Sequence, residues 1–79
     1  MFDYSKLKGR IVEKFDTYKN FTRYLDMGST TFYSKMHNLS DFTSQEIFQI
    51  CNLLDIPHKE IPIYFFTVKV QKNEQYKGA

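Results

Sequence analysis

Apolar residues recur at helical spacing through most of the chain. Leu7, Ile11, Val12 and Phe15 form one stripe, which predicts a first helix over about Lys6 to Phe15 with Asp3 or Ser5 as its cap. Thr17 can cap a second, short helix running to Leu25, with Phe21 and Leu25 inward, Tyr24 partly covered, and Lys19 and Arg23 outward. Asp26-Met27-Gly28 then makes a turn, and Ser29 to His37 predicts a third helix with Phe32 and Met36 on its inner face. Two short amphipathic segments meeting at such a turn have the spacing of a helix-turn-helix. That spacing makes duplex DNA the first partner to consider.

Beyond this unit, residues 38–42 read as a loop that can fold an apolar side chain back over the core. Thr43-Ser44-Gln45-Glu46 is a capping-box pattern, in which the Thr hydroxyl and the Glu carboxylate satisfy opposed backbone N–H groups. It opens the clearest helix, with Ile47, Ile50, Cys51 and Leu54 as its apolar stripe and Asp55-Ile56-Pro57 as its end. Glu60-Ile61-Pro62 suits a brief helical turn, because Pro62 discourages a long one. Tyr64 to Val70 is rich in aromatic and β-branched residues, so a terminal strand or extended arm is expected, with Phe66, Val68 and Val70 alternating. The fold class is therefore all-α: a compact four- or five-helix, repressor-like helix-turn-helix domain over residues 1–71. A short extended C-terminal segment belongs to it, and a flexible tail over 72–79 follows.

The chain has 79 residues, enough for one small domain with a thin core. Eight phenylalanines and six tyrosines offset that thinness by burying large area per residue. The single Cys51 excludes an internal disulfide. His37 and His58 lie too far apart to form a metal set with it, so no metal or other cofactor is expected. No apolar run is long enough to span a membrane, and the first residues lack a signal-like pattern, which points to a cytoplasmic protein without a membrane partner. Net charge is only +2, but Lys6, Lys8, Arg10, Lys14, Lys19, Arg23 and Lys35 concentrate in the first half. That distribution is compatible with a phosphate-facing surface. Asp41, Glu46 and Asp55 read as caps or surface charges and make no catalytic pair, so the chain is not expected to be an enzyme.

The opening Met1-Phe2-Asp3-Tyr4-Ser5-Lys6-Leu7-Lys8-Gly9-Arg10-Ile11, the central turn, and Leu54-Asp55-Ile56-Pro57 with Ile61-Pro62-Ile63-Tyr64-Phe65-Phe66 resemble phage Cro/repressor-type domains. They look more closely like small early regulators of Gram-positive temperate phages, and the resemblance covers about residues 1 to 71. Phe21, Thr22, Leu25, Asp26, Met27, Gly28 and Phe32 fall on the family's central motif. Thr22 stands where Ala is usual, Asp26 where a Gly adopts positive φ, and Gly28 where a Ser caps. Asp26 is therefore expected to take left-handed geometry, with Ser29 or Gly28 as the cap. The resemblance implies a lytic-side regulator: a Cro-like repressor of an early genetic switch or, alternatively, a modulator that binds the phage repressor protein.

By the same positional comparison, Tyr18, Ser29, Thr30, Tyr33 and Ser34 fall where relatives meet DNA. Hydroxyls can bond base edges and the Thr methyl can touch thymine, but the set lacks the bidentate Arg, Asn or Gln groups that discriminate bases sharply. Lys19, Arg23 and Lys35 complete the candidate interface as phosphate contacts. One small module offers limited contact area, so a homodimer on double-stranded operator DNA is expected. Tyr64, Phe65, Phe66 and Val68 are the candidate protein interface, by edge pairing or aromatic packing, toward a second copy or a repressor.

Overall fold

The computed structural model describes residues 1–69, and over them the chain is an all-α domain of five helices. Helix α1 spans Ser5–Phe15, α2 Tyr18–Thr22, α3 Ser29–Met36 and α4 Ser44–Leu54. After a 3-10 turn at His58–Glu60, α5 spans Ile61–Phe65. Leu7, Ile11, Phe21, Phe32, Ile50, Leu54 and Phe65 are almost completely buried and form one core, closed by Tyr4, Leu25, Met36, Ile47, Cys51 and Ile56. Val12, expected in the inner stripe, is exposed instead, and Phe15 is only half-buried. A helix this short needs only Leu7 and Ile11, one turn apart, to reach the core.

The predicted N-terminal caps hold in modified form. Tyr4, the N-cap of α1, makes no side-chain cap bond, and Asp3 supplies the acceptor from one residue upstream, taking the Ser5 N–H at 2.9 Å. The Thr17 hydroxyl accepts from the Asn20 N–H and starts α2. Thr43 and Glu46 close a full capping box on α4.

Helix α2 stops at Thr22, three residues short of the predicted Leu25. The chain leaves it through tight turns, with the Tyr24 N–H donating to the Phe21 carbonyl and Leu25 to Thr22. These turns bring the backbone around without left-handed geometry, so the expectation of positive φ at Asp26 fails. Positive φ falls on Asp16, Asn38 and Asp55 instead. Gly28 is the cap of α3 at φ −76°, in a conformation open to any residue and with free space where a Cβ would stand.

The strand expected from Tyr64 onward is also corrected. Residues 61–65 are helical with Pro62 in the first turn, where its missing N–H costs nothing and its fixed φ suits a helix. Phe65 is 1% exposed; core burial outweighs the β-propensity of its neighbours. What remains of the extended segment is a single antiparallel bridge between Phe2 and Val68, flanked by hydrogen bonds from Asp3 N–H to the Thr67 carbonyl and from Lys69 N–H to the Met1 carbonyl. Val70 and the predicted tail over 72–79 lie outside the described residues.

Asn38 joins this bridge to α3. Its side-chain amide takes the Phe2 N–H and donates to the Phe2 carbonyl, both at 2.9 Å, so it stands in for a neighbouring strand. It does so from φ 63°, a conformation Asn tolerates better than most residues. Replacing Asn38 by Ala is expected to cost about 2–3 kcal/mol in urea denaturation, from two lost hydrogen bonds and a strained backbone. Asn38→Gly relieves the strain alone and should recover roughly 1 kcal/mol of that loss; equal losses in the two variants would refute the backbone share.

Candidate nucleic-acid interface

The outward side of α2 and α3 gathers most of the residues that the sequence singles out. Tyr18 and Lys19 on α2, with Ser29, Thr30 and Tyr33 on α3, line one shallow concavity of about 330 Å³. Residues 29, 30 and 33 share a face because positions three and four apart on a helix are neighbours. Lys19, Ser29, Thr30 and Tyr33 are exposed, and Tyr18 is half-buried.

The tyrosines are held in place. The Tyr18 ring meets buried Phe32 edge-on at 5.3 Å and Tyr33 at 6.5 Å. Tyr33, still 54% exposed, also lies 4.1 Å from the ring of His37. Burial, with Tyr33 adding to it, pushes the Tyr18 hydroxyl above its ordinary value of 10.0. Tyr18 therefore stays a neutral donor at physiological pH. His37, which is exposed, extends this aromatic ridge by one turn. Its four-residue spacing from Tyr33 was the signal available for that placement.

The remaining predicted contacts divide. Arg23 is exposed but lies outside the concavity, and Ser34 is half-buried, with its carbonyl accepting from the N–H groups of His37 and Leu39. Lys35 is not free for phosphate. Its ammonium lies 2.9 Å from the Glu46 carboxylate and 3.1 Å from the Asp41 carbonyl, with its side chain only 12% exposed. The α4 capping box places a carboxylate directly opposite α3, and Lys35 answers it. Arg10 and Lys14, part of the basic first half, are likewise engaged: Arg10 donates to the Leu54 and Asp55 carbonyls at the end of α4, and Lys14 pairs with Asp55 at 2.9 Å. These cations meet the exposed carbonyls and negative dipole end of that helix. Lys6, Lys8, Lys19 and Arg23 remain exposed. Lys8 borders a second concavity, of about 480 Å³, that shares Tyr18 and His37 with the aromatic ridge.

Glu46 connects this pairing to pH. Burial works against its charge, but the Thr43 backbone N–H, Lys35 and the Thr43 hydroxyl together hold its carboxyl below the ordinary 4.5. A depressed folded-state value means that the contribution is fully present above 4.5 and lost as pH falls through the folded value. Glu46→Gln should accordingly flatten the acid limb of stability against pH. An unchanged acid limb in denaturation series would contradict the pairing.

Among the candidate protein contacts, Phe65 belongs to the core and Tyr64 is half-buried, whereas Phe66 and Val68 are exposed. Phe66 also packs edge-on against Phe2 at 5.6 Å. Exposed Tyr24, Leu39 and Phe48 were not foreseen as surface apolar groups of this size. Cys51 is a buried free thiol, and burial raises its pKa, which makes it unreactive. Among the described residues no cluster of His, Cys, Asp and Glu could hold a metal ion, and no helix is long and apolar enough to cross a membrane.

A family model described as a protein of unknown function (DUF739) matches residues 1–68. The chain belongs to that family. No curated protein matches it.

Proposed function

We propose that this protein is a cytoplasmic, phage-type transcriptional regulator that binds double-stranded operator DNA through α3, in the manner of a Cro-like repressor. One observation carries the reading: Ser29, Thr30 and Tyr33 of α3 and Tyr18 and Lys19 of α2 share one exposed concavity. A helix entering the major groove needs such a set, with hydroxyls at base edges and a cation beside them. Lys19 and Arg23 contact phosphate in this reading, and Lys8 joins them beyond Tyr18. Lys35 leaves the interface and becomes the tie between α3 and α4. Regulation follows from occupancy, with the bound protein blocking polymerase or a competing repressor and no chemical conversion taking place. A second copy supplies the contact area that one module lacks, with Phe66 and Val68 as the apolar groups available for pairing.

The alternative, a modulator that binds a phage repressor protein, is favoured by a different observation. Tyr33 and Tyr24 stay more than half exposed, and with Lys35 paired inward the face carries few cations. Aromatic anchors with little charge suit a protein partner better than a polyanion. Mobility shifts with DNA flanking the protein's own gene, with and without the cognate repressor, separate the two. A specific shift by the protein alone supports operator binding; a change only when repressor is present supports the modulator.

A further inference from the structure

Most of the amide and guanidinium groups that could read adenine or guanine near α3 are engaged elsewhere, and Arg23, which is exposed, lies outside the concavity. Asn20 donates its side-chain amide to the Phe15 carbonyl, and Asn38 uses both ends of its amide on Phe2. Arg10 is bound to the end of α4, and Lys35 is held by Glu46. Ser29, Thr30, Thr31 and Tyr33 are exposed on the first turns of α3, and all of them except Thr31 line a concavity whose walls are mainly apolar.

The Tyr33 ring is braced by Tyr18 and His37, and Tyr18 in turn rests on buried Phe32. A ring held this way presents a fixed apolar edge and gives up little further side-chain freedom on binding. In the major groove only thymine offers an apolar group, its C5 methyl. Resting on the DNA-binding reading above, we infer that this concavity receives the thymine methyl, with Thr30 and Tyr33 as the specificity-determining contacts. The bound half-site is thymine-rich opposite the first turns of α3. The Ser29 hydroxyl bonds a neighbouring base edge or phosphate, and Lys19 contacts phosphate at the rim.

The test starts with selection of a random duplex library on the purified full chain. The enriched duplex is then synthesised with thymine or with 2′-deoxyuridine, which lacks only the methyl. Enrichment of thymine is expected, together with about a fourfold loss of affinity for each contacted methyl removed. In Thr30→Ser and Tyr33→Ala, which remove the protein side of the contact, the penalty for deoxyuridine should shrink toward none. Equal binding of both duplexes after clear sequence enrichment would overturn the thymine inference and leave operator binding intact. Failure to enrich any sequence over the input library would overturn both.

Discussion

Phe32→Ala is expected to destabilise the domain by about 3–5 kcal/mol, the range for removing a fully buried aromatic ring. Phe32 is completely buried, and its ring meets Tyr18, Phe21 and Phe42 at 5.3, 5.5 and 5.8 Å. Those partners come from α2 and from the loop between α3 and α4, so the lost ring separates three parts of the chain at once. Typical stability for a domain of this length is roughly 4–12 kcal/mol. The variant should therefore lose much of its folded population at modest denaturant concentration. Urea denaturation followed by circular dichroism measures the loss. Tyr33→Ala, one residue along the same helix but on the exposed side, should cost less than about 1 kcal/mol. A loss below about 1 kcal/mol for Phe32→Ala would mean that α3 is not anchored through this ring.

The largest effect on binding is expected from Lys19→Glu combined with Arg23→Glu. Both side chains are exposed and neither forms an ion pair within the described residues, so the fold should be retained. Each phosphate contact contributes about 0.9 to the slope of log affinity against log salt on duplex DNA. Removing two contacts should reduce that slope by roughly 1.8, and the added negative charges should bring the affinity loss to on the order of 100-fold. Lys35→Gln provides the contrast. Its loss strands a partly buried Glu46 carboxylate and should lower stability by about 1–3 kcal/mol, while the salt slope of the folded protein stays unchanged. A salt slope that falls with Lys35→Gln and not with the double variant would reverse the assignment of cations made from the structure.

These two lysines illustrate what a linear sequence can and cannot convey. Lys19 and Lys35 look alike beside the turn, both basic and both on the polar side of a short helix. What separates them is Glu46, eleven positions after Lys35, which the capping box fixes at the start of another helix. Local rules place some pieces correctly: the Thr43–Glu46 box is legible from four residues, and so is the inward pair Phe32 and Met36. The meeting of Lys35 with Glu46, of Asn38 with Phe2 and of Arg10 with the end of α4 depends on tertiary packing, which no local pattern encodes.

The C-terminal segment fails for a related reason. Tyr64, Phe65 and Phe66 carry strand-forming composition, yet composition alone does not weigh Pro62 at a helix start or the space in the core that Phe65 fills. At the candidate interface, the resemblance singles out Tyr18, Ser29, Thr30 and Tyr33, and helical spacing puts Lys19 on the outward side of α2; two helical registers and one turn then bring the five around one concavity. The packing of His37 on Tyr33 is a tertiary detail that leaves no ligand-set signal in the sequence. The early end of α2 was missed because tight turns carry no strong residue signature at Arg23 and Tyr24.

Under the proposed function the α2–α3 face reads duplex DNA. Fluorescence anisotropy with labelled DNA flanking the protein's own gene, against a scrambled duplex of equal length and over a series of salt concentrations, tests it most directly. Tighter binding to the native fragment and a salt-dependent affinity are expected, with weaker binding and a shallower salt slope in the Lys19→Glu, Arg23→Glu variant. Equal affinity for native and scrambled duplexes, or no binding to either by a folded protein, would contradict it.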